Sequence, residues 1–397
     1  MWTGTVQTDG ETTVASRASR LPSQAMRVVI ALSCAAVACS SPAPTQVDRI
    51  DVAMRRGSEL LVSRQHADGG WYSRTYAALR DGWSVSPLVT LSLRMSPQEG
   101  SVPGAYRRGV AFVAGLARDG AVRRAPEVSY PLHAYAIGAL VLGAPDNKPR
   151  FPREHAALVA AVRDLQLDAA HGWTERDVSF GGWGYAFDAR RSPDGGSGEL
   201  PTANLSATVL AIGALVLGGV PVSDPALVRA RAFVERCQGG DGGLFFSPAE
   251  LGANKAGSDA KGPRSYGSMT ADGIRALLRL ARPLDDPKLA AASGFLNQQF
   301  DATKNPGAFP AGDEVRRASS YYYWAWSAAH VARHLGKRAW AEALVEELLA
   351  RQQLDGSWRN AATEMREDDP LVATSFALAA LGLARSILAA EPRSHAY

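Results

Sequence analysis

Cysteine is nearly absent. Of the three in the 397-residue chain, Cys34 and Cys39 lie in an N-terminal apolar stretch and only Cys237 lies in the body. A disulfide framework and a cysteine-rich zinc site are therefore excluded from the folded part. A charge excess of one sign is also missing: the net charge is +4 and no Lys/Arg block stands out. Nucleic-acid binding is not indicated. No cofactor fingerprint is present. The longest early apolar run, Val28 to Ala38, suits a signal-peptide core and is too short to span a bilayer.

That run ends Ala36-Val37-Ala38-Cys39-Ser40. Small residues before a Cys resemble a bacterial lipoprotein cleavage site, which implies export and a lipid on Cys39. The expected organisation is a signal segment over 1–39, with 1–25 an upstream extension before Met26. A Pro/Ser-rich tether over 40–47, a single domain over 48–390 and a short tail over 391–397 follow. The expected location is the bacterial cell envelope, with the membrane reached through the N-terminal lipid.

What the chain does have is a repeated phrase. Gln65…Asp68-Gly69-Gly70-Trp71 returns as Gln352…Asp355-Gly356-Ser357-Trp358 and, more weakly, as Gln238…Asp241-Gly242-Gly243-Leu244. Each Gln stands six residues before the Trp or the Leu that replaces it. Internal repetition of this kind governs the fold. An amphipathic helix precedes each Gln, and the glycine supplies the left-handed backbone that stops it. The Gln amide can serve carbonyls left open at a helix end, and the Trp ring packs while its N–H seeks one acceptor. The phrase reads as glue between repeats rather than as chemistry.

From Asp48 onward two helix types alternate. Mixed, charged helices are expected near 48–65, 105–118, 152–167, 224–238, 286–300 and 338–353. Smoother, Ala- and Leu-rich ones are expected near 85–95, 130–143, 202–218, 267–282, 319–335 and 370–388. A helix apolar on every side must be buried on every side. Six such pairs predict an all-α closed ring, an (α/α)6 toroid, with the greasier helices inside. The aromatic-rich loop 180–198 is expected to be an ordered lid.

The recurring Gln…Asp-Gly-Gly-Trp phrase with six hairpins resembles the squalene-cyclase and protein-prenyltransferase repeat. The resemblance covers residues 48–388 and implies a central cavity holding an apolar isoprenoid. The chain departs from both chemistries of that family. The prenyltransferase zinc pair Asp-x-Cys is missing, since Glu235 stands two residues before Cys237. The cyclase acid motif Asp-x-Asp-Asp is represented by Arg366-Glu367-Asp368-Asp369. On the resemblance, Asp369 is the expected acid, helped by Asp368, with Asp272 in reserve. Adjacent carboxylates at a helix start also serve as simple caps. Trp83, Tyr130, Tyr266, Tyr322, Tyr323 and Trp326 are the expected cavity aromatics, where rings would stabilise positive charge. Four consecutive aromatics, Tyr321 to Trp324, cannot all face one way on a helix. His330 and His334 share a helix face as a metal pair does, yet lack a third ligand. The functional alternatives are a cyclase-like enzyme, a non-catalytic lipid- or protein-binding scaffold, and a glycan-active enzyme using Asp272 and Asp369 across a cleft.

Overall fold

The computed structural model describes residues 44–118, 120–185, 187–191 and 202–390. The signal segment, Cys39, the first half of the tether, part of the expected lid and the C-terminal tail lie outside the described residues. In chain order the helices are α1 (Gln46–Ser63), α2 (Ser86–Met95), α3 (Val102–Ala114), α4 (Pro131–Leu142), α5 (Pro152–Asp164), α6 (Leu205–Leu217) and α7 (Pro225–Arg236). There follow α8 (Gly267–Arg279), α9 (Pro287–Gln299), the short α10 (Glu314–Ala318), α11 (Tyr321–Leu335), α12 (Arg338–Arg351) and α13 (Pro370–Leu388). Two minimal antiparallel hairpins sit in loops, β1 (Ala117–Arg118) with β2 (Ala121–Val122), and β3 (Ser258–Asp259) with β4 (Gly262–Pro263).

The ring closes. Around the inside, α2, α4, α6, α8, α11 and α13 each pack on the next, and α13 packs back on α2. The outer helices seat against them: α3 lies against both α2 and α4, α5 against α4 and α6, and α12 against α11 and α13. This is the (α/α)6 toroid that the alternation of helix types predicts. Every residue of α6 from Leu205 to Leu215 is buried, as its lack of a polar face requires. Helix α13 is long and apolar enough by composition to cross a membrane, but most of it is buried inside the ring. Local signals set the starts: Asp224 and Asp286 accept hydrogen bonds from the first turns of α7 and α9, each followed by a first-turn proline.

The repeated phrase is the joint between outer helices. Gln65 Nε2 donates to the carbonyls of Gly69, in its own turn, and Ala105, in α3, both at 2.9 Å. Gln238 does the same to Gly242 and Lys288, and Gln352 to Gly356 and Ala53. The Trp71 and Trp358 indoles each donate to a carbonyl of the preceding outer helix at 2.7 Å. A fourth copy is present that the linear spacing hides. Gln166 donates to Gly181 and Ala226, and Trp183 Nε1 to Val162, across an insertion between Gln166 and Gly181. The glycines are obligatory here. Gly356 has φ +86°, and a Cβ on it would stand 2.6 Å from the Arg56 carbonyl oxygen of α1.

Two details differ from the periodicity. Helix α3 stops at Ala114 rather than near 118, because the chain turns into the β1–β2 hairpin around Gly120 (φ +80°). The inner element expected over 319–335 begins instead at Tyr321, after α10 and a break held by Asn305. The Asn305 amide donates at 3.0 Å to both Ser268 Oγ and Ser320 Oγ.

Candidate functional site

Loops and caps bring the starts of the inner helices to one end of the ring, where they enclose a cavity of about 340 Å3. All six inner helices contribute: Leu88 from α2, Ile137 from α4, Leu210 from α6, Met269 from α8, Trp326 from α11 and Phe376 from α13. Seven aromatic rings line it, Tyr130, Tyr185, Phe246, Tyr266, Tyr323, Trp326 and Phe376. An apolar concavity with few polar groups is the usual form of a small-molecule site. Glu364 and Met365, on the loop before α13, are exposed and form the solvent side of the lining.

Behind the wall lies a buried polar cluster. Tyr323 Oη donates to Asp272 Oδ2 at 2.6 Å, Ser327 Oγ to Asp272 Oδ1 at 2.8 Å, and Arg275 Nη1 to the same oxygen at 2.8 Å. Burial pushes the Asp272 carboxyl up, and the Arg275 charge with the Tyr323 and Ser327 hydrogen bonds opposes it. Three donors converging on one carboxylate are the set that its ionised form satisfies. The Arg275 guanidinium also stands 4.7 Å from the Trp326 ring centre. Burial pushes the Tyr323 phenol far above its ordinary range.

Four ionisable groups face the chamber itself besides tyrosines and the rim residue Glu364. Glu367 is buried and accepts the backbone N–H groups of Tyr322 (2.9 Å) and Tyr323 (2.8 Å), capping α11. Burial pushes it up to about 7, against those hydrogen bonds. Burial pulls Lys255 down to about 8. Burial, then the Arg366 charge, pulls His133 down to about 4, so it is neutral at pH 7. His133 Nδ1 and Trp326 Nε1 are buried without a hydrogen-bond partner. Arg366 has φ +61°, the left-handed region, and lies over the Tyr130 and Tyr76 rings at 4.7 and 5.4 Å.

Of the sequence-derived aromatics, Tyr130, Tyr266, Tyr323 and Trp326 line the chamber. Trp83 does not: it stacks on Phe112 at 4.2 Å beneath the Arg123 guanidinium. Tyr322 is buried beside Tyr321 with its hydroxyl on the Arg359 carbonyl. Helical rotation turns Tyr323 inward and its neighbours away. Of the expected lid, Tyr185 lines the chamber, Trp183 is the tryptophan of the fourth joint and Phe187 is exposed.

The three candidate carboxylates do not share one site. Asp369 caps α13 through Leu371 N at 2.8 Å and accepts a short hydrogen bond from Ser73 Oγ. Asp368 accepts from Tyr76 Oη at 2.6 Å. Neither is in the chamber lining, and Asp272 lies behind Tyr323. Among the described residues no group of three or more His, Cys, Asp or Glu is arranged to hold a metal. His330 packs edge-on to Trp326, and burial with the charges of Arg275 and Arg279 holds it well below the ordinary imidazole range.

Lys255, Glu367, Phe246 and Phe376 are chamber residues that the repeat and the family motif do not mark. The signal for Lys255 was the unusual length of the loop over 247–264, since long loops in compact domains carry function.

Compared with solved structures, the chain superposes on a type II terpene cyclase, MstE from Scytonema in complex with geranylgeranyl dihydroxybenzoate. The TM-score is 0.55 at 12% identity, over 86% of this chain and 98% of that one. The likeness is one of fold, an α/α toroid. A protein from Actinoplanes matches with TM-score 0.53 and 15% identity, over 85% and 99% of the two chains. A glycosidase matches with TM-score 0.51 and 13% identity, over 86% and 98%. No protein-family model and no curated protein sequence matches the chain. At these identities the likeness establishes the toroid and leaves the chemistry to the site.

Proposed function

We propose that the chain binds an apolar isoprenoid ligand in this chamber, without cyclising it. The observation that carries the reading is the ring-lined cavity to which every inner helix contributes. The terpene cyclase of the same fold holds a geranylgeranyl compound, which supports the ligand class. Proton-initiated cyclisation requires a carboxylic acid presenting its hydrogen to the substrate. Asp369 is engaged as a helix cap, and Asp272 accepts three hydrogen bonds, one from Arg275. Glu367, the buried carboxyl of the lining, turns both oxygens to backbone N–H groups. A glycan-cleaving pair of Asp272 and Asp369 has no support for the same reason.

Lipid extraction of the purified protein followed by mass spectrometry tests the reading; an isoprenoid is expected. Incubation with squalene and with geranylgeranyl compounds should return them uncyclised. A cyclised product would overturn the non-catalytic reading, and loss of that product in Asp369→Asn or Asp272→Asn would then name the acid. The same reading has the protein exported and held at a membrane by a lipid on Cys39. Mass spectrometry of the mature N-terminus, in which a free Ser40 or an unmodified Cys39 would remove the anchor, tests that part.

A further inference from the structure

Between Trp358 and the start of α13 the chain makes one excursion and returns. Its ends are tied together: Asn360 N donates to the Glu367 carbonyl at 2.7 Å, and Asn360 Nδ2 to the Glu367 carboxylate at 3.3 Å. A compact surface loop with joined ends is an Ω-loop, a form that often carries function. Four consecutive residues of it, Glu364 to Glu367, line the chamber. Met365 lines it and is also 37% exposed. At this point a single thickness of chain stands between the cavity and water.

The neck and the tip of this loop are held differently. At the neck, Glu367 accepts from the Tyr322 and Tyr323 N–H groups, which Ser320, at the N-cap position of α11, leaves without a side-chain cap. Asn360 Nδ2 also donates to the Ala318 carbonyl, and Asp369 caps α13. The tip, 361–366, is fastened far less. Two of its backbone N–H groups bond within the loop, Ala362 to Asn360 Oδ1 at 3.1 Å and Arg366 to the Thr363 carbonyl at 3.0 Å. From outside the loop, among the described residues, its one hydrogen bond comes from Tyr76 Oη, to the Thr363 carbonyl at 3.2 Å. The other hold is the Arg366 guanidinium, over the Tyr76 ring at 5.4 Å and the Tyr130 ring at 4.7 Å.

Arg366 joins tip to neck, and its backbone stands at φ +61°. That conformation disfavours a non-glycine residue, and strain of this kind gathers at switch segments. Strain at the junction pushes the tip away, and the ring contacts hold it down. The bonds at the neck depend on neither. Two small opposing terms give an element with two positions.

We infer that 361–366 is a lid on the chamber, turning at Arg366 and clasped shut by Tyr76 and Tyr130. This rests on the chamber being a ligand site and adds how a ligand enters and leaves it. Because α11 takes its cap from the neck, the wall that carries Tyr323 and Trp326 stays in place while the tip lifts. Tyr76 lies outside the chamber lining, so it acts on passage rather than on the ligand.

Stopped-flow binding of N-phenyl-1-naphthylamine, a neutral apolar probe that fluoresces out of water, to the full chain tests the inference. Tyr76→Leu should speed association and release together, each ~5-fold or more, with Kd shifted less than ~2-fold. Arg366→Gln should speed release likewise, and Arg366→Lys, which keeps a charge over the rings, should fall between it and the wild type. Faster release with unchanged association in Tyr76→Leu would make Tyr76 a ligand contact and overturn the lid. A second readout needs no ligand: maleimide labelling of Ile137→Cys, on the chamber wall of α4, followed by peptide mass spectrometry. Tyr76→Leu in that background should raise the labelling rate ~5-fold or more. Equal labelling rates would overturn the lid. If the wild type fails to bind the probe while labelling still accelerates, the chamber reading falls and the lid stands. Thermal melting of each variant separates an opened lid from lost folding.

Discussion

Gln352, just past the last outer helix, closes the ring on Ala53 in the first: its amide donates at 2.9 Å to the Ala53 carbonyl and at 3.0 Å to Gly356. Gln65, Gln166 and Gln238 make the same pair of bonds at their own seams. One side chain thus ties its own turn to the next hairpin.

Removing that side chain should open the seam. Gln352→Ala leaves two carbonyls without donors and is expected to cost about 2 kcal/mol. Gln353→Ala, one residue on, removes only an exposed bond to Arg351 and should change stability by less than about 0.5 kcal/mol. Urea unfolding monitored by tryptophan fluorescence compares them. Equal effects would remove the seam role of Gln352.

The turn glycines carry two separate constraints, and they can be distinguished. Gly356→Ala meets both the positive φ and the Arg56 carbonyl at 2.6 Å, and should cost about 3 kcal/mol or more. Gly100 shares a positive φ (+55°) but nothing lies within 4 Å of its Cβ position. Gly100→Ala should therefore cost only about 1 kcal/mol. The difference in denaturation midpoint reads the close approach alone.

Asp272 and Arg275 form an ion pair inside the ring, within the polar cluster that Tyr323 and Ser327 complete. Arg275→Met leaves a buried carboxylate unpaired and should destabilise by about 3–5 kcal/mol. The double change Asp272→Asn with Arg275→Met should be milder than Arg275→Met alone, because no charge is stranded. Thermal melts of the three variants form the test, and simple additivity would deny the coupling.

His133 gives a pH signature. Burial, then Arg366, holds its imidazole at about 4, whereas an unfolded chain binds that proton near about 6.5. The unfolded state therefore carries more protons through this window. Stability contributed by neutral His133 is present above about pH 6.5, falls as the pH drops and levels off below about 4, by up to roughly 3 kcal/mol. His133→Leu should flatten the wild-type slope across that window. Identical slopes in the two proteins would exclude a buried neutral His133.

The toroid was legible because it rests on periodic signals: all-round apolar helices such as 205–217 alternate with charged ones, and the Gln–Trp phrase marks the seams. The fourth seam was hidden because Gln166 and Trp183 are separated by an insertion, which leaves the contacts intact but destroys the spacing. The chamber was legible only in part. Tyr323 and Trp326 could be placed by helix rotation, whereas Trp83 sits in an irregular turn whose direction no period governs. Asp369 carried a motif-like context, but motif letters do not show which way a carboxyl points. Here one oxygen caps α13 and the other pins Ser73. Lys255 lies in a long loop, where neither period nor repeat reports what a side chain faces.

At the closing seam Gln46, at the beginning of α1, bonds Glu342, and Arg338, at the beginning of α12, reaches the Leu388 carbonyl at the end of α13. Both ends of the domain thus converge on α12, as neighbours rather than as opposite poles. The molecule is in effect a cyclic object cut at one point. Where the peptide thread is severed is incidental to which helices touch, and a chain rethreaded to begin at another hairpin would meet the same partners in the same order.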